Sequence, residues 1–242
     1  MKKGFLLNHL GLGDHLICNG LVRAISSDFD LFVVPVKDNN YNSVSRMFSD
    51  LINVSVLPLV TANKENEMLV QAKTLELQGY QINKIGYYGN EFMSKRIRFD
   101  ENFYLQLGIP FSNRWDNFHV PRSTQKEEQL YELLITEEAR KNGYIFLHED
   151  KNRGFLINRQ LLPENMLIIE PMQVREDINF FDYLKIIENA KEIHCIESSF
   201  AALIESLKLD DKPKFAHRYA RPEAFHDYKH EFTYKTKWTV HR

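Results

Sequence analysis

Short apolar runs alternating with amphipathic segments constrain this 242-residue chain more than any other feature. "GFLLNH" (4–9), "LFVVPV" (31–36), "INVSVLPL" (52–59) and "YQINKIGYY" (80–88) read as buried strands. Between them, residues 14–26 carry Leu16, Ile17, Leu21, Val22 and Ile25 at helical spacing, "YNSVSRMFSDL" (41–51) looks helical, and 64–78 reads as a polar-faced helix. Pro35 inside the second run restricts that strand's position or length, because proline donates nothing to a ladder. The β-α-β-α order predicts a parallel, doubly wound α/β sheet.

Residues 91–108 are expected to be helical, ending at Gly108 before Pro110. In "FSNRWDNFHVPRSTQKEEQ" (111–129) periodicity stops and polar residues accumulate, which places a domain junction near 110–126. The alternation then restarts. A helix (125–141) leads to strands "YIFLHE" and "MLIIEP", a helix (179–190), strand "EIHCIE", a helix (199–208) and strand "KPKFAHRY". Beyond residue 222 the tail is aromatic and charged. Two small α/β domains are expected, residues 1–115 and 126–242, with a single seven-to-eight-stranded sheet as the competing layout.

Hydrophobic residues at 43% and charged ones at 26% suffice for a sizeable core. A net charge of −2 gives no basic excess for gripping nucleic acid. Cys18 and Cys195, far apart in apolar contexts, form no disulfide or zinc pattern and fit a reducing compartment. "MKKGFLL" imitates the start of a signal peptide, but Asn8, His9 and Asp14 interrupt the apolar run. No segment approaches 18 apolar residues, so no transmembrane segment is expected and the chain reads as cytoplasmic.

Three motifs carry candidate chemistry. In "HLGLGDHL" (9–16) Gly11 and Gly13 allow a tight strand-to-helix turn and close ligand approach, and the helix's free N–H groups attract anions. Leu16 stands where a dinucleotide fingerprint wants glycine, which argues against plain nicotinamide binding. Asp14 is either the helix N-cap or, with His15, faces a cleft at the carboxyl end of the first strand. "HEDKNRGF" (148–155) brings His148, Lys151 and Arg153 to another strand end, either as a diphosphate site or as a solvated loop. Its Glu149 and Asp150 are a weak match to glycosidase carboxylates. "EIHCIESSFAALIESL" (192–207) ends a strand at Glu197, and Ser198 and Ser199 open a helix, as caps or as phosphate ligands. His194 reads as packed, whereas His217, Arg218 and Arg221 either line the cleft or pair with local acids. Asp28 and Asp30 form an Asp-x-Asp in a helix-to-strand turn, the wrong place for a nucleotide-bound metal, and the nine histidines lack metal spacing.

"LLNHLGLGDHLICNGLVRAI" (6–25) resembles the opening of the heptosyltransferase-like glycosyltransferases, with a strand, a Gly-Asp turn and a helix carrying an arginine. "IESSFAALIES" resembles their donor-side strand-to-helix turn, and "YIFLHEDKNRGF" is similar in position to the basic loop of that family and of fucosyltransferase-like enzymes. The resemblance covers about 45 residues in three islands. It implies a small GT-B fold: two facing Rossmann-like domains, acceptor on the first and nucleotide sugar on the second. Glu197-Ser198-Ser199 stands where heptosyltransferases carry Asp-x-Gly, which leaves the donor sugar open.

On that resemblance the expected activity is metal-independent, inverting transfer of a hexosyl or deoxyhexosyl unit from a nucleotide sugar to a glycan or other hydroxyl acceptor. The nucleotide sugar is substrate and no cofactor is implied. Asp14 or His15 would act as base, with Gly11, Gly13 and His9 on the acceptor side. His148, Lys151, Arg153, Glu197, Ser198, Ser199 and Phe200 would form the donor side. A nucleotide-sugar epimerase or hydrolase, and a non-catalytic nucleotide- or glycan-binding module, are the alternatives.

Overall fold

In a computed structural model the chain builds two separate parallel sheets rather than one. The structure describes residues 1–87, 97–172, 177–221 and 232–242. Residues 91–96 of the expected helix, and 222–231 of the tail, lie outside this set. Contacts divide the chain into one unit of Met1–Pro121 with Glu231–Thr233, and a second of Arg122–His230 with Tyr234–Arg242.

The first unit contains β1 (Lys3–Leu7), α1 (Leu12–Ile17), α2 (Asn19–Ser26), β2 (Leu31–Lys37), α3 (Tyr41–Met47), β3 (Val54–Leu59), α4 (Lys64–Leu77), β4 (Gln81–Lys84), α5 (Phe99–Gln106) and α6 (Asn113–Asp116). The sheet order is β3-β2-β1-β4, all parallel. Phe5 and Leu7 alternate onto one face and pack with Val33, Leu59, Met68 and Ala72, so α4 covers that face. Each of these side chains larger than alanine stabilises the fold by about 1.5–3 kcal/mol on full burial. Pro35 fits because the β1–β2 ladder stops at Val33, two residues earlier, and only β3 pairs alongside the proline.

The helix expected over 14–26 starts earlier and breaks at Cys18. Asn19, fully buried, gives its amide to His119 O (2.9 Å) and accepts from His119 N (3.0 Å). A Cβ on Gly20 would sit 1.9 Å from Asn113 O, so α2 lies directly on the α6 backbone. The return of residues 232–233 to this unit was also not expected. Asp100, buried with its ion-pair partner Arg114, accepts from Thr233 N (2.8 Å) and Thr233 Oγ1 (3.0 Å).

The second unit contains α7 (Thr124–Leu134), α8 (Glu137–Asn142), β5 (Tyr144–His148), β6 (Leu167–Ile169), α9 (Leu184–Asn189), β7 (Glu192–Cys195), α10 (Ser199–Ser206), β8 (Lys214–His217) and β9 (Thr239–His241). The order is β6-β5-β7-β8-β9, again all parallel. The expected 125–141 helix is two helices, because buried Ile135 is extended and Thr136 caps α8 by accepting from Ala139 N (3.2 Å). A 3-10 turn, Phe180–Tyr183, precedes α9. β9 was not anticipated. Its tail is held by Glu205, a buried carboxylate that accepts from Lys235 N, Thr236 N, Thr236 Oγ1 and Trp238 Nε1.

Among the described residues no helix is long and apolar enough to cross a membrane.

Candidate functional sites at two switch points

In open α/β sheets, ligands bind outside the carboxyl ends of the strands where the strand order reverses. The first unit reverses between β1 and β4, and the second between β5 and β7. Candidate residues from the sequence fall at both places.

At the first reversal, His9 follows β1 and its Nε2 donates to Gly86 O, just past β4, at 2.8 Å. A carbonyl only accepts, so Nε2 carries the proton. Gly86 has φ +78°, and a Cβ there would lie 2.7 Å from the His9 ring, so glycine is required on both counts. Gly11, not Asp14, is the N-cap of α1, and it carries ordinary extended angles (φ −71°, ψ 144°). What Gly11 supplies is room: a Cβ would lie 2.5 Å from Asp14 Oδ2, because the Asp14 carboxylate folds back over it. Asp14 sits at the third helical position and accepts from the Gly11 N–H, half of a capping box. Burial raises its pKa above the carboxylate norm, against the opposing effects of His9, that backbone bond and Lys37. Gly13 lies inside α1.

His15, the other expected base, turns away from this turn. It is 1% exposed, Nε2 has no hydrogen-bond partner, and burial pushes its pKa down to about 4. A proton acceptor must reach its substrate, and a ring sealed in the core does not. Arg23 on α2 is likewise committed, bidentate to Asp50 at 2.9 and 2.8 Å.

At the second reversal, His148 ends β5 and its Nδ1 lies 3.0 Å from Ser198 Oγ, just past β7. Ser198 is the N-cap of α10, and its Oγ accepts from Ala201 N (3.4 Å) as well as bonding the His148 ring. Burial lowers the His148 pKa to about 4, so the ring is neutral. Ser199 opens α10, half-buried, where free N–H groups and the helix dipole favour an anion.

Lys151 and Arg153 are exposed but paired. Lys151 bonds Glu170, and Arg153 Nε bonds Asp150 at 2.6 Å while lying 5.0 Å from the Phe155 ring centroid. The two weak glycosidase candidates are structural: Glu149 is bound by Arg159 (2.8 and 3.0 Å), and Asp150 caps the 151–153 turn.

Two donor-side expectations are corrected. Glu197 is 1% exposed, with Tyr234 Oη at 3.2 Å and Arg218 Nε at 3.5 Å, so burial beside these partners keeps it from a ligand. Phe200 is 5% exposed and packs among Phe146, Phe180, Tyr183 and the His148 ring, a core anchor beneath the site. Arg221, outside the expected donor set, belongs here. Its Nη1 donates to Glu197 O (2.8 Å), one residue before the cap, and its guanidinium lies 5.7 Å from the Phe155 ring that Arg153 also covers. Burial, then Arg153, lowers its pKa. An arginine shortly after the last expected strand was the available signal.

No protein-family model matches the sequence, and no curated protein sequence matches it. Among solved structures, similarity extends over nearly the whole chain. The iron-containing dodecameric glycosyltransferase TibC of enterotoxigenic Escherichia coli is 13% identical, with a TM-score of 0.53 over 99% of this chain and 62% of that one. The E. coli heptosyltransferase WaaC, solved with ADP, is 12% identical, with a TM-score of 0.52 over 98% and 93%. A family 9 glycosyl transferase of Veillonella parvula is 11% identical, with a TM-score of 0.52 over 89% and 80%. With its two parallel Rossmann-like sheets, this chain has the GT-B-like α/β fold of those glycosyltransferases.

Proposed function

We propose that this chain is a glycosyltransferase that moves a sugar from a nucleotide-sugar donor to a glycan or other hydroxyl acceptor, without a metal and with inversion. The observation that carries the reading is Asp14, a half-buried carboxylate of raised pKa at the switch point of a GT-B-like unit. A carboxylate made more basic by burial is suited to take a proton from a hydroxyl near neutral pH. His9 and Lys37 favour its ionised form in the resting state.

In this mechanism the acceptor O–H gives its proton to Asp14 as its oxygen attacks the anomeric carbon. A C–O bond forms, the bond from that carbon to the diphosphate oxygen breaks, and the electron pair leaves on the diphosphate. A single displacement inverts the centre. The leaving charge is met in the second unit by the α10 N–H groups, Ser199, the His148 ring, Arg153, Lys151 and Arg221. Gly11 keeps the carboxylate in place, and Gly13 and His9 complete the acceptor side.

The test is incubation with a panel of ADP-, GDP- and UDP-sugars, following nucleotide release with and without glycan acceptors and with excess EDTA. Slow donor hydrolysis, accelerated by an acceptor and unchanged by EDTA, is the expected result. Turnover without any acceptor product points to an epimerase or hydrolase, and binding without turnover to a module. Loss of activity in EDTA, restored by manganese, removes the metal-independent mechanism.

A further inference from the structure

One face of the second unit's sheet carries a file of polar rings that the proposed chemistry does not use. Glu192 and His194, two apart on β7, share that face with Phe215 and His217 of β8 and His241 of β9. The His194 ring lies flat on Phe215 (4.4 Å, 10°) and His217 flat on His241 (4.9 Å, 21°). His194 and His217 are 1% and 0% exposed, yet each ring is bonded at both nitrogens. His194 Nε2 meets Glu192 Oε2 at 3.3 Å, His194 Nδ1 meets His217 Nε2 at 3.0 Å, and His217 Nδ1 meets Tyr219 Oη at 3.1 Å. Tyr219 Oη in turn accepts the Asn158 N–H at 2.7 Å.

The protons in this file can be placed from one end. The Glu192 carboxylate only accepts, so His194 Nε2 carries a proton. Burial keeps His194 neutral, with a pKa near 4 that the stacked array's His241 also lowers, so its Nδ1 accepts. His217 Nε2 must therefore donate. His217 is neutral too, lowered to about 3 by burial and then by His194 and His241, so its Nδ1 accepts the Tyr219 O–H. Every bond then points towards Glu192. A reversed file would need a protonated Glu192 or a doubly protonated buried ring, both costly.

We infer that Tyr219 is a positioning residue for the donor loop, its hydroxyl oriented by the His217–His194–Glu192 file so that it receives the Asn158 N–H. The inference rests on the proposed role of residues 148–153 in nucleotide binding. Asn158 lies in the same excursion between β5 and β6 as Lys151 and Arg153; the Asp150–Phe155 bridge closes their turn, and Ile157, next to Asn158, donates its N–H to Glu149 Oε2 at 2.8 Å. Tyr219 joins an exposed loop amide to a buried, fully hydrogen-bonded array. Such an array holds one geometry because each member has a single satisfied arrangement.

Three readings of the wild type and Tyr219→Phe decide it: imidazole nitrogen NMR, amide exchange at Asn158, and calorimetric titration with ADP, UDP and GDP in turn. In the wild type, His194 and His217 should both show the Nε2–H tautomer. In the variant, His217 should keep the Nε2–H that His194 accepts, while Asn158, its acceptor gone, should exchange about 10-fold faster. Kd for whichever nucleotide binds should rise about 5- to 10-fold, with kcat for transfer unchanged. An Nδ1–H tautomer in the wild type, unchanged exchange, or faster exchange with unchanged Kd would each overturn the inference. If no nucleotide binds the wild type, the glycosyltransferase reading fails, and the tautomers with Asn158 exchange still decide whether the file holds the loop. Should Tyr219→Phe not fold, Glu192→Ala, at the partly exposed end, should cost His194 and His217 their single tautomer and change Asn158 exchange and Kd about 3-fold, and no change there would overturn the inference equally.

Discussion

His9 and His148 occupy matching places in the two units, each where the first strand of a parallel sheet ends, and each bridges a switch point. Their partners differ in kind. His9 donates to a backbone carbonyl, which fixes its proton on Nε2, whereas His148 meets a hydroxyl that also caps a helix. The surroundings diverge further. Beside the first bridge stands Asp14, a carboxylate whose pKa burial has raised; around the second gather Arg153, Arg221, Lys151 and the head of α10. The switch point beside the first strand repeats, and the charge around it differs. A fold of this type therefore fixes where chemistry is done, and a few side chains decide whether the place accepts a proton or an anion.

The largest expected effect breaks the proposed proton-accepting side. Asp14→Asn preserves shape and the bond from Gly11 N–H, so the variant should fold, bind ADP, UDP or GDP as the wild type does, and transfer roughly 10²–10⁴-fold more slowly. Initial rates beside calorimetric affinities check this, and full transfer in the variant would make the turn purely structural. Gly11→Ala reaches the same carboxylate by sterics. Its backbone angles suit alanine, so its new Cβ should displace Asp14 without unfolding the turn, slowing transfer by about 10²-fold.

Much of this architecture was legible in the alternation of runs, because parallel strands buried on both faces read as continuous apolar stretches. What escaped had little local signal. β9 holds one aliphatic residue, Val240, and is recruited by Glu205 gripping the preceding segment. The break at Cys18 comes from Asn19 bonding His119, a hundred residues away. At the site, residue type was legible and direction was not. Asp14 and His15 are neighbours on a helix about 100° apart, so one faces the turn and the other the core, and sequence does not say which. Glu197 and Phe200 failed for the same reason. Next to the cap at Ser198, their side chains point into the core rather than outward.

Acid should separate the two units by the number of buried neutral rings. His15, in the first, has its pKa lowered to about 4; in the second, His148 and His194 are lowered to about 4 and His217 to about 3. Below the ordinary imidazole value of 6.5 the unfolded chain binds protons that the folded one refuses. Stability should therefore be fully present above that pH, fall as pH drops, and level off for these groups near pH 3–4. Each ring adds up to about 1.4 kcal/mol per pH unit within its window. Urea unfolding at pH 7.5, 6.5 and 5.5 should show the loss, and a flat profile would mean that the rings are hydrated. His15→Leu should flatten only the first unit's share. It should also cost little at pH 7.5, because it removes a buried nitrogen that has no partner.

The smallest effects sharpen the proposed anion-receiving side. Arg153 already bonds Asp150, so binding a diphosphate must compete with that pair, and Asp150 also accepts from Arg153 N to cap the local turn. Arg153→Ala keeps the backbone bond and the fold. It should weaken nucleoside-diphosphate binding by about 1.5–3 kcal/mol, as loss of one charge-assisted bond does, nearer the lower figure because the competing pair vanishes too. Ser199→Ala removes a neutral hydroxyl while the α10 N–H groups remain, and should cost about 0.5–1.5 kcal/mol. Calorimetry on both variants orders them. If Ser199→Ala proves the costlier, the anion sits on the helix head and Arg153 belongs to the surface network. Equal wild-type affinity in both would move the anion site away from this switch point and leave Ser198 and His148 as a structural bridge.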